Sequence, residues 1–386
     1  MKRLSVRTDE FTDSVIRRMT RISNKYGAVN LSQGFPDFKP PKEILDRLSQ
    51  VSKEDFHQYS ITWGAQNFRE ALAAKQSHFM GIDIDPDTEI VVTCGSTEAM
   101  MAAMMTVANP GDKVIVFSPF YENYGADTIL SGAQPVYVPL NPPDFTFDPD
   151  LLEKAFRQDV KALILCNPSN PSGKVFTRSE LRTISDLAIK YDAYVITDEV
   201  YEHIVYDPYE HVYISTLPGM RERTICCSSL SKTYSITGWR LGYTIAPPEI
   251  TDRIKKVHDF LTVGAAAPLQ EAVIPGLKFT QEYYDGLKET YTRKKDLFVK
   301  GLDDIGIIHT NPQGAYYVMI DISEFGYESD LFFCEKLAER VGVGAVPGSS
   351  FFREDINHLI RLHFAKKDET LKEALDRLAD IRMKMK

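Results

Sequence analysis

From Glu89 onward the chain alternates short apolar runs with amphipathic stretches. Ile90-Val91-Val92-Thr93-Cys94, Val114-Ile115-Val116-Phe117, Val136-Tyr137-Val138, Leu163-Ile164-Leu165-Cys166, Tyr194-Val195-Ile196-Thr197, Ile225-Cys226-Cys227 and Gly242-Tyr243-Thr244-Ile245 lack the polar alternation of a half-exposed strand. Such runs predict strands covered on both faces, hence an α/β fold with a largely parallel sheet between helices. The helices have readable ends. Thr177-Arg178-Ser179-Glu180 is a capping box ahead of Leu181, Ile184, Leu187 and Ala188, and Asn109-Pro110-Gly111 stops a Met-rich helix that starts near Thr97. Outside this block, Phe11, Val15, Ile16, Met19 and Ile22 have helical spacing over Phe11 to Tyr26, which predicts an amphipathic arm ending at Gly27. Tyr284, Leu287, Tyr291, Leu297 and Phe298 line one side of a long helical stretch from Gln281 to Leu302, and Leu371, Ala374, Leu375 and Leu378 mark a last amphipathic helix.

Composition narrows the class. A chain of 386 residues with 43% hydrophobic and 26% charged positions is an ordinary globular protein of two to three domains. Its net charge of −9 argues against a general affinity for nucleic acid or anionic membrane, and Ala99 to Ala108, the longest apolar stretch, is far short of the roughly 18 residues of a membrane span. The first ten residues mix cations with carboxylates around no apolar stretch, so neither a secretory nor a transit signal is expected and the cytoplasm is the expected compartment. Cys94, Cys166, Cys226, Cys227 and Cys334 form no C-x-x-C pair and read as reduced core residues. The eight histidines show no ligand spacing, and His363 reads as a packed strand residue; no metal is expected.

The candidate chemistry gathers at strand ends, where open α/β sheets bind ligands. Ser228-Ser229-Leu230-Ser231-Lys232 places one lysine among hydroxyls, with Arg240 eight residues on. In an apolar pocket a lysine loses its proton readily and can form a Schiff base with an aldehyde, while two hydroxyls and a guanidinium suit a phosphate dianion. Taken alone, the segment reads equally as a solvated lysine in a Ser-rich loop. Gly95-Ser96-Thr97 is a strand-to-helix turn whose free N–H groups favour an anion; it lacks the glycine pattern and lysine of nucleotide loops. Tyr121, after Pro119-Phe120, offers a ring to stack on a planar heterocycle or to the core. Asn170 stands in a doubled Asn-Pro turn, and Asp198 and Tyr201 end a buried strand, where a carboxylate needs a partner such as a protonated ring nitrogen. Gly34 and Tyr59 lie in turn-rich segments that are locally unremarkable.

In this order the motifs resemble the class I/II aminotransferases, the fold-type I enzymes dependent on pyridoxal 5'-phosphate, most of all the branch of kynurenine, methionine and prokaryotic-type aspartate or aromatic aminotransferases. The resemblance runs from Asn30–Phe38 to Ile360-Arg361-Leu362-His363-Phe364. It implies a large domain (46–280) with a mostly parallel seven-stranded sheet, and a smaller α+β domain built from an N-terminal segment (1–45) and from the linker helix and C-terminal part (281–386). It implies that the amino group of an L-amino acid passes to a 2-oxo acid through a Schiff base on Lys232. Asp198 would pair with the ring nitrogen, Asn170 and Tyr201 with the phenolic oxygen, and Tyr121 would stack on the ring. Gly95, Ser96, Thr97, Ser229 and Arg240 would hold the phosphate, with Tyr59 reaching in from the other subunit of a homodimer. Arg361, helped by Gly34 and Asn170, would clasp the substrate carboxylate. Thr97 stands where some aspartate enzymes have a lysine for the distal carboxylate, and Tyr121, Tyr316 and Tyr317 suit an aromatic or apolar side chain. A β-lyase or a cofactor-binding regulator shares the fold; the first commonly has an asparagine-containing segment after the lysine, the second an added DNA-binding domain, and the sequence shows neither.

Overall fold

The computed structural model describes residues 2, 4–9, 11 and 13–386. Among them, thirteen strands form three sheets. The largest has eight strands in the spatial order Ile90–Thr93, Gly242–Ile245, Thr224–Ser229, Tyr194–Asp198, Val160–Cys166, Lys113–Ser118, Gln134–Asn141 and Thr146–Phe147. Gly242–Ile245 runs antiparallel to both its neighbours, and Thr146–Phe147 is antiparallel to Gln134–Asn141; the other pairs are parallel. All seven expected strands are present, and the eighth is a two-residue edge strand formed where the chain turns back after Pro142-Pro143. The inner strands are buried along nearly their whole length, as their unbroken apolar runs require. Cys166 pairs with Asp198 and Asp198 with Cys227, so the carboxyl ends of three central strands meet at one rim.

The helices begin and end where local chemistry dictates. Thr177 caps Arg178–Lys190 through a full capping box: its hydroxyl accepts from the Glu180 N–H, and the Glu180 carboxylate accepts from the Thr177 N–H at 2.8 Å. The N-terminal arm is shorter than the expected Phe11 to Tyr26, running Val15–Lys25, because the Ser14 hydroxyl accepts from the Arg17 N–H and starts the helix there. Thr12, inside the expected range, lies outside the described residues. The long helix Gln281–Ile305 ends at Gly306, whose φ of 78° is the left-handed cap that glycine adopts without strain.

A second sheet joins Tyr317–Asp321, Leu359–His363 and Val346–Pro347, and a third pairs Val29–Asn30 with Val343–Gly344. Met19, Val29 and Leu31 thereby enter one core with Phe298, Leu302, Ile360, Leu362 and Leu371. Burying each such side chain contributes about 2 kcal/mol, which ties the N-terminal segment to the C-terminal part. His363 is fully buried in its strand, and burial drives its pKa well below the ordinary value, so the ring is neutral. No helix among the described residues is long and apolar enough to cross a membrane.

Candidate active site

At the rim of the large sheet, Gly95 (φ 85°) turns the chain from Ile90–Thr93 into the helix Ser96–Val107. A Cβ at Gly95 would lie 2.2 Å from Arg240 Nη2, and one at Gly242 would lie 2.6 Å from the Ser96 nitrogen, so only glycines let these segments approach. Arg240 donates to the carbonyls of Thr237 (3.0 Å) and Cys94 (3.4 Å) and, among the described residues, forms no ion pair. Ser96 is half-buried, Thr97 exposed and Ser229 buried at the end of its strand. The result is a turn of free N–H groups and hydroxyls beside a guanidinium without a counterion.

Lys232 and Asp198 occupy the centre. The lysine Nζ donates to the Gly34 carbonyl at 3.3 Å and stands 5.9 Å from the ring centroids of both Tyr201 and Tyr316. Desolvation by this surround lowers its pKa to about 8; the charge of Asp198 pulls the other way, and Arg240 and Arg361 add to the lowering. Asp198 is buried with no cation in hydrogen-bond contact: Oδ2 accepts from the Tyr124 hydroxyl at 2.7 Å and Oδ1 from the Val200 N–H at 3.3 Å. Burial raises its pKa to about 6, against the lowering effect of those two donors.

Arg361 lies on the far side, fully buried. Nη1 donates to Asn170 Oδ1 at 2.6 Å and Nη2 to the Ser32 carbonyl at 2.8 Å, while Nε is left without a partner. The guanidinium carbon sits 4.4 Å from the Tyr317 ring centroid and 4.7 Å from that of Phe351. No carboxylate among the described residues pairs with it. The Tyr201 and Tyr317 hydroxyls share a 2.8 Å hydrogen bond, and a Cβ on Gly34 would collide with the Tyr317 hydroxyl.

Residues 26–378 match the family described as aminotransferase class I and II. The chain belongs to that family. It is 36% identical over 381 residues to a probable N-succinyldiaminopimelate aminotransferase of Mycobacterium tuberculosis, covering 96% of each chain. It is 36% identical over 369 residues to the methionine aminotransferase of Escherichia coli, covering 95% of this chain and 96% of that one. The solved structure of an N-succinyldiaminopimelate aminotransferase from M. tuberculosis superposes with a TM-score of 0.94 at 36% identity, over 98% of this chain and 99% of that one. As a class I/II aminotransferase the protein transfers amino groups between amino acids and 2-oxo acids with pyridoxal 5'-phosphate. The donor set suits that cofactor: a buried carboxylate lacking a cation, a desolvated amine, and a turn beside an unpaired guanidinium that even one methyl group at Gly95 would obstruct.

In this aminotransferase the expected site residues Gly34, Gly95, Ser96, Thr97, Tyr121, Asn170, Asp198, Tyr201, Ser229, Lys232, Arg240 and Arg361 stand around the sheet rim or the strands facing it. Tyr59 does not join them: it is 87% exposed, in a loop outside its own chain's site. Tyr316, expected to face a substrate side chain, is wholly buried with its hydroxyl donating to the Gly34 carbonyl at 2.9 Å, so it supports the site from behind. Sequence reasoning missed Tyr124, the donor to Asp198; its place three residues after Tyr121, on the helix Asn123–Leu130, was the available signal. It also missed Asp127, one turn further along, buried and with Oδ2 unpartnered, whose pKa burial and the nearby Asp198 push up to about 8.

Proposed function

We propose that Lys232 is the amine that receives the cofactor's aldehyde carbon and then acts as the base at the substrate α-carbon, with Asp198 and Arg361 as its two fixed electrostatic partners. One observation carries this reading: an amine of lowered pKa lies within electrostatic reach of both a buried carboxylate that lacks a cation and a buried guanidinium that lacks an anion. A protonated ring nitrogen at Asp198 and an amino-acid carboxylate at Arg361 would satisfy both. When bound, pyridoxal 5'-phosphate supplies a ring that withdraws the electron pair left at the α-carbon. Asp198 keeps the ring nitrogen protonated, and Tyr124 keeps Asp198 ionised by donating to it. Arg361 grips the carboxylate with its free Nε–H and with an Nη group, which fixes the α-hydrogen toward Lys232. Lys232, set free once the substrate's amino group has taken its place and neutral at little cost because of its lowered pKa, would take that proton and return it to the carbon on the other side of the amino nitrogen. Ser96, Thr97, Ser229, Arg240 and the Gly95 turn would hold the phosphate, Tyr121 would stack on the ring, and Asn170 and Tyr201 would bond its phenolic oxygen.

For substrate we assign an L-amino acid with an aromatic or apolar side chain. Thr97 brings no cation for a distal carboxylate, and relatives are named for methionine and kynurenine, although others of equal identity are named for N-succinyldiaminopimelate. The test is an amino-acid panel with and without 2-oxoglutarate. Turnover is expected only with the acceptor and best with aromatic or thioether side chains; preference for aspartate would defeat the substrate assignment, and pyruvate with ammonia in the absence of acceptor would move the chemistry to elimination.

The same reading makes the enzyme a homodimer with shared sites. Tyr59 is exposed in a loop bound to the helix Pro248–Thr262 through Thr62 and His258, and Phe260 of that helix is 91% exposed. Five free thiols, four of them buried, support a reducing compartment, the cytoplasm. The core that joins Met19, Val29 and Leu31 to residues beyond 290 fits a smaller domain built from both ends of the chain, with Val200, Tyr201, Ile204 and Tyr206 of the large domain packed into it, and we place the division near residues 45 and 280.

A further inference from the structure

Glu98 and His258 play no part in the roles assigned above, yet both are buried against the turn at Gly95. Glu98 stands in the first turn of Ser96–Val107. Its Oε2 accepts from the Cys94 N–H, and its Oε1 from the Thr262 hydroxyl at 2.9 Å and from His258 Nδ1. The other ring nitrogen, Nε2, faces the Thr62 carbonyl at 2.8 Å. A carbonyl and a carboxylate only accept, so both nitrogens donate and the ring is an imidazolium. Burial opposes that charge, but the hydrogen bond and field of Glu98 outweigh it and hold His258 above its ordinary value; in return His258 holds Glu98 below its own.

The carboxylate braces the turn by fixing the Cys94 N–H, but its charge lies beside the N–H groups proposed to receive a phosphate dianion, which it repels. We propose that His258 is a positioning residue that neutralises Glu98, so that the turn is braced by a carboxylate without presenting net negative charge to the cofactor's phosphate. The inference rests on the assignment of the phosphate to this turn and Arg240. The charged and titratable groups around the pair are the Cys94 thiol and Arg240 on the turn side and Asp259 on the helix of His258 itself; Thr262 adds a neutral hydroxyl. Loss of the His258 proton as pH rises exposes the Glu98 charge, so affinity for the phosphate falls in the alkaline direction.

The test compares binding of pyridoxal 5'-phosphate with that of pyridoxal to the full chain freed of cofactor, since their affinity ratio isolates the phosphate. His258→Gln should lower the ratio by about tenfold or more, the scale of one uncompensated charge in a partly buried site. Glu98→Gln removes the repulsion while keeping an acceptor for Cys94, and Glu98→Gln/His258→Gln should restore the ratio lost in His258→Gln. An unchanged ratio in His258→Gln, or a double variant worse than either single one, as a purely structural pair would give, overturns the proposal. Should His258→Gln not fold, the parent's ratio should still fall as pH rises into the alkaline range, where the phosphate is already dianionic (pKa about 6), and stay flat in Glu98→Gln; parallel curves overturn the proposal equally. Arg240→Gln separates the two levels. If it lowers the ratio and His258→Gln does not, only the present inference fails; if neither does, the phosphate assignment falls and takes the inference with it.

Discussion

Asp198 is held under conditions that favour its acid form, while its proposed role needs the base form. Its pKa of about 6 in the folded protein lies above the ordinary 3.8, so the stability linked to its proton is fully present below the ordinary value and is lost as pH climbs through 6. A difference of that size corresponds to about 3 kcal/mol. Asp198→Asn should therefore make the cofactor-free protein more stable at pH 7 by up to that amount, with the advantage gone near pH 4; chemical denaturation at the two pH values checks it, and an equal gain at both would show that the carboxylate's charge is not the cause. The same change should slow proton abstraction by several powers of ten, because a charge-stabilising partner in a dry site is worth several kcal/mol. Single-turnover rates equal to the parent's would remove Asp198 from the chemistry. Lys232→Ala, in turn, should abolish turnover and the absorbance of lysine-bound cofactor while the far-ultraviolet dichroism stays as in the parent; measurable turnover would reassign the base.

Helix ends and buried strands obey local rules, which is why they could be read before any coordinates. Leu163-Ile164-Leu165-Cys166 and its neighbours are apolar without alternation because helices cover both faces, and Thr177 with Glu180 announces its helix through two reciprocal hydrogen bonds. Thr177→Ala should cost about 1 kcal/mol of stability without touching turnover; urea denaturation and a standard assay check both, and a loss of activity without loss of stability would contradict the purely local role. Thr146–Phe147 escaped notice because two residues at a sheet edge carry no period. The antiparallel course of Gly242–Ile245 escaped it as well, since direction depends on how the preceding turn brings Arg240 back to Gly95. At the site, Lys232, Asp198 and Arg361 were legible from ordered motifs. The Ser32 carbonyl on Arg361, the Tyr124 hydroxyl on Asp198 and the imidazolium beneath Glu98 were not, because each joins residues from 74 to 329 positions apart.

At the scale of the whole molecule, a single chain leaves Tyr59 facing outward, and the shared-site proposal requires a second copy to bring it in. Mixing a Lys232→Ala chain with a Tyr59→Asp chain, each inactive by itself, should regenerate activity, since one hybrid site receives both Lys232 and Tyr59. Sedimentation that finds a fully active monomer would end the shared-site reading, and proven hybrids without activity would move Tyr59 elsewhere. The buried guanidinium of Arg361 also bears on how the protein behaves in the tube. A cation kept dry with one N–H idle will take almost any small carboxylate that reaches it, and whatever binds only the folded form raises its melting temperature by mass action. Acetate, citrate and succinate buffers should then act as ligands rather than bystanders: they should raise the melting temperature of the parent, shift its apparent KM upward in assays, and leave the melting temperature of Arg361→Leu unchanged.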